Sequence, residues 1–182
     1  MIVSTSYNKC IFEHKGSLLP RYTPLFWYAR LNTFKEGTYT ACTLLFEHYL
    51  KEQNKGVRQC FVAFCGESFA GYVTLKWHSV YRSFAQNNIP EISDLNVLPA
   101  FGRHSIGTRL IEKCEAKAAT QSSTVGIGVG LCADYGAAQR LYVKRGYVPD
   151  GQGAIYQYKA VTAGESYPLN DDLIGWFTKT LS

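Results

Sequence analysis

The residues best suited to chemistry lie in two short stretches that flank strand-like and helix-like runs. The first is Leu95-Asn96-Val97-Leu98-Pro99-Ala100-Phe101-Gly102-Arg103-His104-Ser105-Ile106-Gly107-Thr108-Arg109-Leu110. A strand ends there, a small basic loop follows, and an amphipathic helix begins. A helix start presents unpaired backbone N–H groups and the positive end of a dipole, so a phosphate can dock on it. Small residues at 102, 105 and 107 let a ligand approach the backbone, and Arg103 and His104 add charge. The same residues also suit an ordinary strand–helix loop with Ser105 as N-cap. The second stretch is Asp134 to Tyr147, where Ala138, Leu141, Tyr142 and Arg145 are spaced to share one helix face. The Tyr142 phenol can donate a proton to a developing thiolate or alkoxide if it is well placed. A tyrosine packing half its ring into the core accounts for the same position.

The elements that must hold these residues are legible in outline. Residues 1–24 mix polar and apolar side chains without a period and read as an arm or an irregular first strand. Leu25 to Leu31 has strand-like composition. From about Thr38 to Lys55, Leu44, Leu45, Tyr49 and Ala41 recur at helical spacing, and Gly56 is a natural stop. Two strands, 59–64 and 69–77, flank the turn Cys65-Gly66-Glu67-Ser68. A polar loop with Asn87-Asn88 leads to a third run, Ile89 to Leu98. A helix follows over 105–120 with Ile106, Leu110, Ile111 and Cys114 on one face. Val125 to Leu131 reads as a buried strand, Tyr135 to Arg145 as a short helix ended by Gly146, and 154–158 and 173–177 as strands. Consecutive strands early and strand–helix units later predict an α/β (mixed α+β) fold. No repeat or linker divides the chain, so one domain over 1–182 is expected.

Composition narrows the function. The chain has 182 residues, 46% of them apolar and 18% charged, which suits a single core and argues against disorder. No apolar run approaches the ~18 residues of a membrane span, and the first nine residues lack the apolar stretch of a secretory signal. A cytoplasmic protein with no membrane partner is expected. The net charge of +5 is modest, and no block of Lys and Arg accompanies the 26 aromatic residues, so no nucleic-acid partner is expected. The six cysteines at 10, 42, 60, 65, 114 and 132 contain no CxxC, and the four histidines show no ligand spacing. Reduced thiols and no metal site are the expectation.

Taken together, the two stretches resemble the GNAT-type N-acetyltransferase superfamily. Its pyrophosphate loop, Q/R-x-x-G-x-G/A, is matched by Gly102-Arg103-His104-Ser105-Ile106-Gly107 after the family-like strand Leu95-Asn96-Val97. Its later segment, N-x-x-A-x-x-L-Y-x-K-x-G-F/Y, is matched by Tyr135 to Tyr147. The resemblance covers roughly residues 38–160. Gly102 stands where Gln or Arg is usual, Ser105 where the first glycine of the loop is usual, and Tyr135 where Asn is common. Arg103 can supply the charge missing at 102.

The resemblance implies a GNAT-like fold, with a central twisted mixed sheet of six to seven strands and helices on both faces. It implies acetyl-CoA as acetyl donor and transfer to a primary amine within a ternary complex. Backbone groups around Asn96 and Val97 would hold the pantetheine arm. Gly102, Arg103, His104, Ser105, Ile106, Gly107 and Thr108 would hold the pyrophosphate, with Tyr135 and Ala138 also on the cofactor side and Tyr142 near the thioester sulfur. Arg140, Lys144 or Arg145 would meet outer phosphates, unless they form a solvated helix face.

Acetyl transfer needs a neutral amine, and an amine with a pKa near 10 arrives charged, so a carboxylate base helps. Glu91 lies six positions before Val97, an offset at which some family members place a catalytic Glu. Under period-two alternation Glu91 shares a face with Ser93, Leu95 and Val97, and Asp94 shares the other with Asn96, so they form no dyad. Glu91 is the first choice as base. Asp94 is the alternative, or a group for a cationic substrate. The acceptor, a small molecule or a peptide, is left open, as is a homodimer. Glu91, Asp94, Asp134 and Asp150 are expected to make a local acidic mouth.

Three other features carry competing readings. Gly126-Ile127-Gly128-Val129-Gly130 has GxGxG spacing rather than GxGxxG, and its glycines are expected to let the backbone pack beside a ligand arm. Cys132 has no sequence cue for a base beside it. The altered loop at 102 and 105 motivates the alternative of a non-catalytic acyl-CoA-binding module.

Overall fold

The computed structural model describes residues 10–14, 38–66 and 68–181. In chain order these form β1 (Cys10–His14), α1 (Thr38–Asn54), β2 (Arg58–Cys65), β3 (Ser68–Lys76), α2 (Arg82–Gln86), β4 (Glu91–Val97), α3 (Ile106–Ala118), β5 (Thr124–Gly130), α4 (Gly136–Lys144), β6 (Val148–Tyr156), β7 (Lys159–Ala160) and β8 (Leu173–Thr180). The sheet order is β1-β2-β3-β4-β5-β8-β6-β7. β4 and β5 pair parallel, whereas β1/β2, β5/β8, β8/β6 and β6/β7 pair antiparallel, so the sheet is mixed as expected. The strand expected over 25–31 and the arm outside 10–14 lie beyond the described residues. No helix among the described residues is long and apolar enough to cross a membrane.

The described residues fall into two compact units, one drawn from 1–74 and 94–114, the other from 75–93 and 115–182. In the first, α1 ends where expected. Gly56, at φ 74°, lets its N–H reach the Gln53 carbonyl and the Val57 N–H reach Glu52, closing the last turn. The face of α1 differs from expectation. Tyr49 is buried, but Leu44 and Leu45 are 60% and 41% exposed, because α1 meets β2 through polar groups such as Gln53, whose Oε1 accepts the Cys60 N–H at 2.9 Å. Val62 and Phe69 form a small core with Phe64, Tyr72 and Leu98. On α3, Ile106, Leu110, Ile111 and Cys114 are all buried, as their spacing requires.

In the second unit β8 runs antiparallel to β5 from Thr124↔Thr180 to Gly130↔Ile174. An aromatic core fills it. The Tyr81 and Trp176 rings stack at 4.3 Å, and Phe84 sets its edge against both. Buried Phe84 also explains α2, a short helix where a polar loop was expected. The three glycines of β5 make room for this aromatic shell rather than for a ligand arm. A Cβ on Gly126 would strike the Phe84 ring, one on Gly128 would sit 3.0 Å from Trp176, and one on Gly130 would meet the Tyr135 ring. Close approach to the β5 backbone was expected of a ligand arm, and the groups that make it are aromatic side chains.

The cysteine expectation is corrected as well. Cys60, Cys114 and Cys132 take part in no disulfide, but Cys65 is disulfide-bonded. The residue opposite it in the β1–β2 register is Cys10. Pairings between strands far apart in the chain leave no trace in cysteine spacing.

Glu115 ties the second unit together. It pairs with Arg145 Nη2 at 2.6 Å and with Lys179 Nζ at 3.0 Å. Burial pushes its carboxyl up, but the hydrogen bonds from Arg145 and Lys179 outweigh this and hold it below the ordinary 4.5. A lowered carboxyl contributes stability above its unfolded value and loses it as pH falls. Glu115→Gln should cost about 1–3 kcal/mol near neutrality. It should also weaken the fall in thermal midpoint below about pH 5. Identical pH slopes for variant and wild type in thermal unfolding would contradict this role.

Candidate functional site

The loop ahead of α3 is built with an unusual backbone. Arg103 and Ser105 both take left-handed conformations, φ 63° and 58°, although neither is glycine. Such a residue costs about 1–3 kcal/mol unless its surroundings hold it. Position 105 is where the resemblance expects glycine, and the positive φ is the physical reason glycine suits it. The Ser105 carbonyl accepts the first bond of the helix ladder, from Arg109 N–H at 3.0 Å. The amides of 106–108 lie ahead of that bond and have no intrahelical acceptor. Arg103, His104 and Ser105 are exposed, Ile106 is in the core, and Gly102, Gly107 and Thr108 are half-buried. An exposed guanidinium and imidazole beside helix-start amides without intrahelical acceptors are a donor set that fits a phosphate.

β4 carries the two carboxylates and does not keep strict alternation. Asp94 is left-handed, φ 56°, in mid-strand, a bulge-like kink that re-aims the side chains after it. The faces expected from alternation therefore do not extend past this residue. Asp94 Oδ2 accepts from the Tyr49 hydroxyl at 2.9 Å, from Arg58 Nη1 at 3.2 Å and from Thr74 Oγ1 at 3.3 Å. Arg58 is 7% exposed, lies 4.2 Å over the Tyr49 ring, and also pairs with Glu52 at 2.5 Å. Burial, reinforced by Asp94, pushes the Tyr49 phenol well above its usual value, so it stays a donor. Beyond the kink, Asn96 Nδ2 donates to Tyr72 Oη at 3.1 Å and to the Asp94 carbonyl at 3.2 Å. A Cβ at Gly71 would land on the Asn96 carbonyl and 3.1 Å from Val97 Cα, so β3 packs its bare backbone against this part of β4.

Glu91 has its own partners. It is 4% exposed, with Lys76 Nζ at 2.9 Å from Oε1 and Ser79 Oγ donating to Oε2 at 2.5 Å. Ser79 in turn accepts the Tyr81 N–H at 3.0 Å. Sequence reasoning missed Lys76 and Ser79, because the segment between β3 and β4 has no periodicity that aims Ser79 back at β4. Of the four acids expected at an acidic mouth, Glu91, Asp94 and Asp150 are each held by protein donors, and Asp134 is exposed. Asp150 accepts from the Tyr81 hydroxyl at 2.7 Å and the Gln152 N–H at 3.0 Å.

On α4, Tyr142 is 5% exposed, and its hydroxyl has no hydrogen-bond partner among the described residues. Burial first, then neighbouring Tyr135, pushes its phenol up to about 12. It is therefore protonated throughout the working range of most proteins. Ala138 is half-buried. Tyr135 donates to Asp171 Oδ1 at 2.9 Å, and Gln139 Nε2 donates to the Gly130 carbonyl at 2.8 Å. Arg145 is committed to Glu115, which removes it from the cations expected at outer phosphates, whereas Arg140 and Lys144 are exposed. The Cys132 thiol lies 3.8 Å from the Asn170 carbonyl, to which it donates.

A family model described as Acetyltransferase (GNAT) family matches residues 22–147. No curated protein matches the chain in sequence. Among solved structures, the chain is similar to a candidate acetyltransferase of the GNAT family from Desulfovibrio desulfuricans, with a TM-score of 0.67 and 13% identity; the match covers 95% of this chain and 99% of that one. A candidate acetyltransferase from Salmonella typhimurium with its cofactor acetyl-CoA gives 0.60 at 16% identity, over 96% and 95%. A spermidine/spermine N-acetyltransferase from Vibrio cholerae in complex with manganese ions gives 0.59 at 13%, over 94% and 92%. Identities this low speak for the fold alone.

The left-handed serine makes a direct prediction. Ser105→Gly should relieve strain at the loss of only a weak cap, stabilising by up to about 1 kcal/mol. For this chain length that raises the thermal midpoint by about 2–4 °C. A lower midpoint for Ser105→Gly would show that the serine side chain, not the backbone, holds the loop.

Proposed function

The chain belongs to the GNAT acetyltransferase family, and from that premise we propose that it moves an acetyl group from acetyl-CoA to a primary amine by direct transfer in a ternary complex. The observation that carries this reading is the 102–108 loop, whose left-handed Arg103 and Ser105 precede helix amides without intrahelical partners. The residues present fit the donor: exposed Arg103 and His104 and the amides of 106–108 suit its pyrophosphate, and the Asn96–Val97 backbone suits its pantetheine arm. Acetyl-CoA supplies the activated thioester.

Glu91 accepts the proton of the incoming ammonium through Ser79. The Ser79 hydroxyl passes its own proton to Glu91 Oε2 as its oxygen takes one from the amine, leaving Ser79 unchanged and Glu91 neutral. Lys76 Nζ, 2.9 Å from Oε1, holds the other carboxylate oxygen in place and leaves Oε2 to Ser79. Asp94 is the lesser candidate for this role, because three donors already share its Oδ2. The Tyr142 hydroxyl, kept protonated by burial, gives its proton to the sulfur as the C–S bond breaks and is restored by the second proton that the nitrogen sheds as the amide forms. A thiol held by the Asn170 carbonyl supports direct transfer over an acyl-enzyme at Cys132. One observation favours the second reading, a non-catalytic acyl-CoA-binding module: both β4 carboxylates are already paired with protein cations.

Tyr142→Phe and Glu91→Gln should each lower kcat by about a hundredfold or more while leaving acetyl-CoA affinity unchanged. With Tyr142 near 12, wild-type kcat should show no alkaline fall from this group up to about pH 10. Unchanged turnover in both variants with a confirmed acceptor would overturn these roles. Acetyl-CoA binding without turnover of any amine would favour the binding module.

A further inference from the structure

The second unit holds a groove of about 730 Å³ between α2 and the β6–β7 hairpin. Arg82 and Ser83 line one wall, Gln152, Tyr158 and Lys159 the other, and Tyr81 lies between them. Its charge is one-sided. Arg82 and Lys159 are cations, no carboxylate lines the groove, and neither cation is ion-paired among the described residues. The nearest acid, Asp150, is occupied by the Tyr81 hydroxyl and the Gln152 N–H.

The hairpin wall is held in backbone conformations that a plain β-ribbon avoids. Gln157 and Tyr158, the two residues joining β6 to β7, are both left-handed at φ 48° and 63°. Such two-residue turns ordinarily use Asn-Gly, and a tyrosine there is strained. That turn leaves Tyr158 53% exposed at the groove and places Lys159 beside it. Upstream, the β6–β8 register shifts between Pro149 and Ala154, where Gly151 and Gly153 are left-handed, and the bulge carries Gln152 to the groove. A bulge and a strained turn in one short hairpin are features that shape a site rather than a strand. The opposite wall is fixed from beneath, because Tyr81 stacks on Trp176.

The groove also connects to the proposed proton path. The Tyr81 N–H donates to Ser79 Oγ, and Ser79 donates to Glu91. A ligand on Tyr81 is thus one residue pair away from the group assigned to take the amine proton.

We infer that this groove binds the acceptor, and that the acceptor is a primary amine bearing an anionic group, a carboxylate or a phosphate, which Arg82 and Lys159 hold. A polyamine would bring only positive charge to a groove whose two charges are positive. This inference rests on the acetyl-transfer reading for its choice of an amine, so its test reads binding as well as turnover.

Calorimetry on the full chain with acetyl-CoA present would compare γ-aminobutyrate, aminoethyl phosphate, γ-aminobutyramide and spermidine. At least one anionic amine should bind about tenfold or more tightly than the neutral amide and spermidine, its identity separating the carboxylate source from the phosphate source. The double variant Arg82→Gln/Lys159→Gln should abolish that preference and raise KM for the anionic amine about tenfold, with little change in kcat or in acetyl-CoA affinity. Tighter binding of spermidine, no binding of either anionic amine at millimolar concentration, or an unchanged preference in the double variant would overturn the inference. Selective binding without acetylation would leave the groove assignment standing and defeat the acetyl-transfer reading instead.

Discussion

Asp94 turns left-handed in the middle of a strand, and a non-glycine residue does so only when something outside the backbone holds it there. Its carboxylate is that hold. Tyr49 from α1, Arg58 from β2 and Thr74 from β3 all donate to the same oxygen, Oδ2. The kink ends the alternation that Glu91 and Ile92 begin and sets the course of Asn96 and Val97 toward the 102–108 loop. The part of β4 beyond the kink, Asn96 and Val97, therefore depends on one anchored carboxylate. Arg58, almost wholly buried, would be a serious liability without Glu52 and Asp94 to neutralise it.

The same rule governs charge elsewhere in the chain. Glu91 has Lys76, and Glu115 has Arg145 and Lys179. With the buried acids spent on protein cations, the exposed charges at the loop and the groove are cations: Arg103 at one, Arg82 and Lys159 at the other. A net charge of +5 looks unremarkable as a total. Its distribution is informative, because the surfaces able to meet ligands carry its positive part.

Much of this was legible in the sequence. The α3 face of Ile106, Leu110, Ile111 and Cys114 is a plain helical period, and Gly56 and Gly146 mark helix ends by a local backbone requirement. The two motif stretches were readable because each is contiguous. What escaped reading depends on contacts between distant segments or on backbone angles that residue type hides. Nothing in Asp94, Arg103, Ser105 or Tyr158 announces a positive φ. The Ser79–Glu91 bond joins a loop to a strand, and Cys65 gave no sign of its disulfide. The β5 glycines were read correctly as sites of close approach, but what approaches is Phe84, Trp176 and Tyr135, residues whose arrival only the tertiary fold decides. Leu44 and Leu45 show the converse, a helical period whose aliphatic face is not the buried one.

The most direct measurement is the thermal unfolding midpoint with and without acetyl-CoA, using a free adenine nucleotide as control. Ligand at about a hundredfold over its Kd stabilises by about 2.7 kcal/mol. For a chain of this size that is a shift on the order of 5–10 °C. If the loop and the Asn96–Val97 backbone both hold the donor as proposed, acetyl-CoA gives such a shift and the nucleotide a much smaller one. No shift at millimolar acetyl-CoA would contradict that proposal, and would mean that a loop with serine at 105 and glycine at 102 no longer holds the donor.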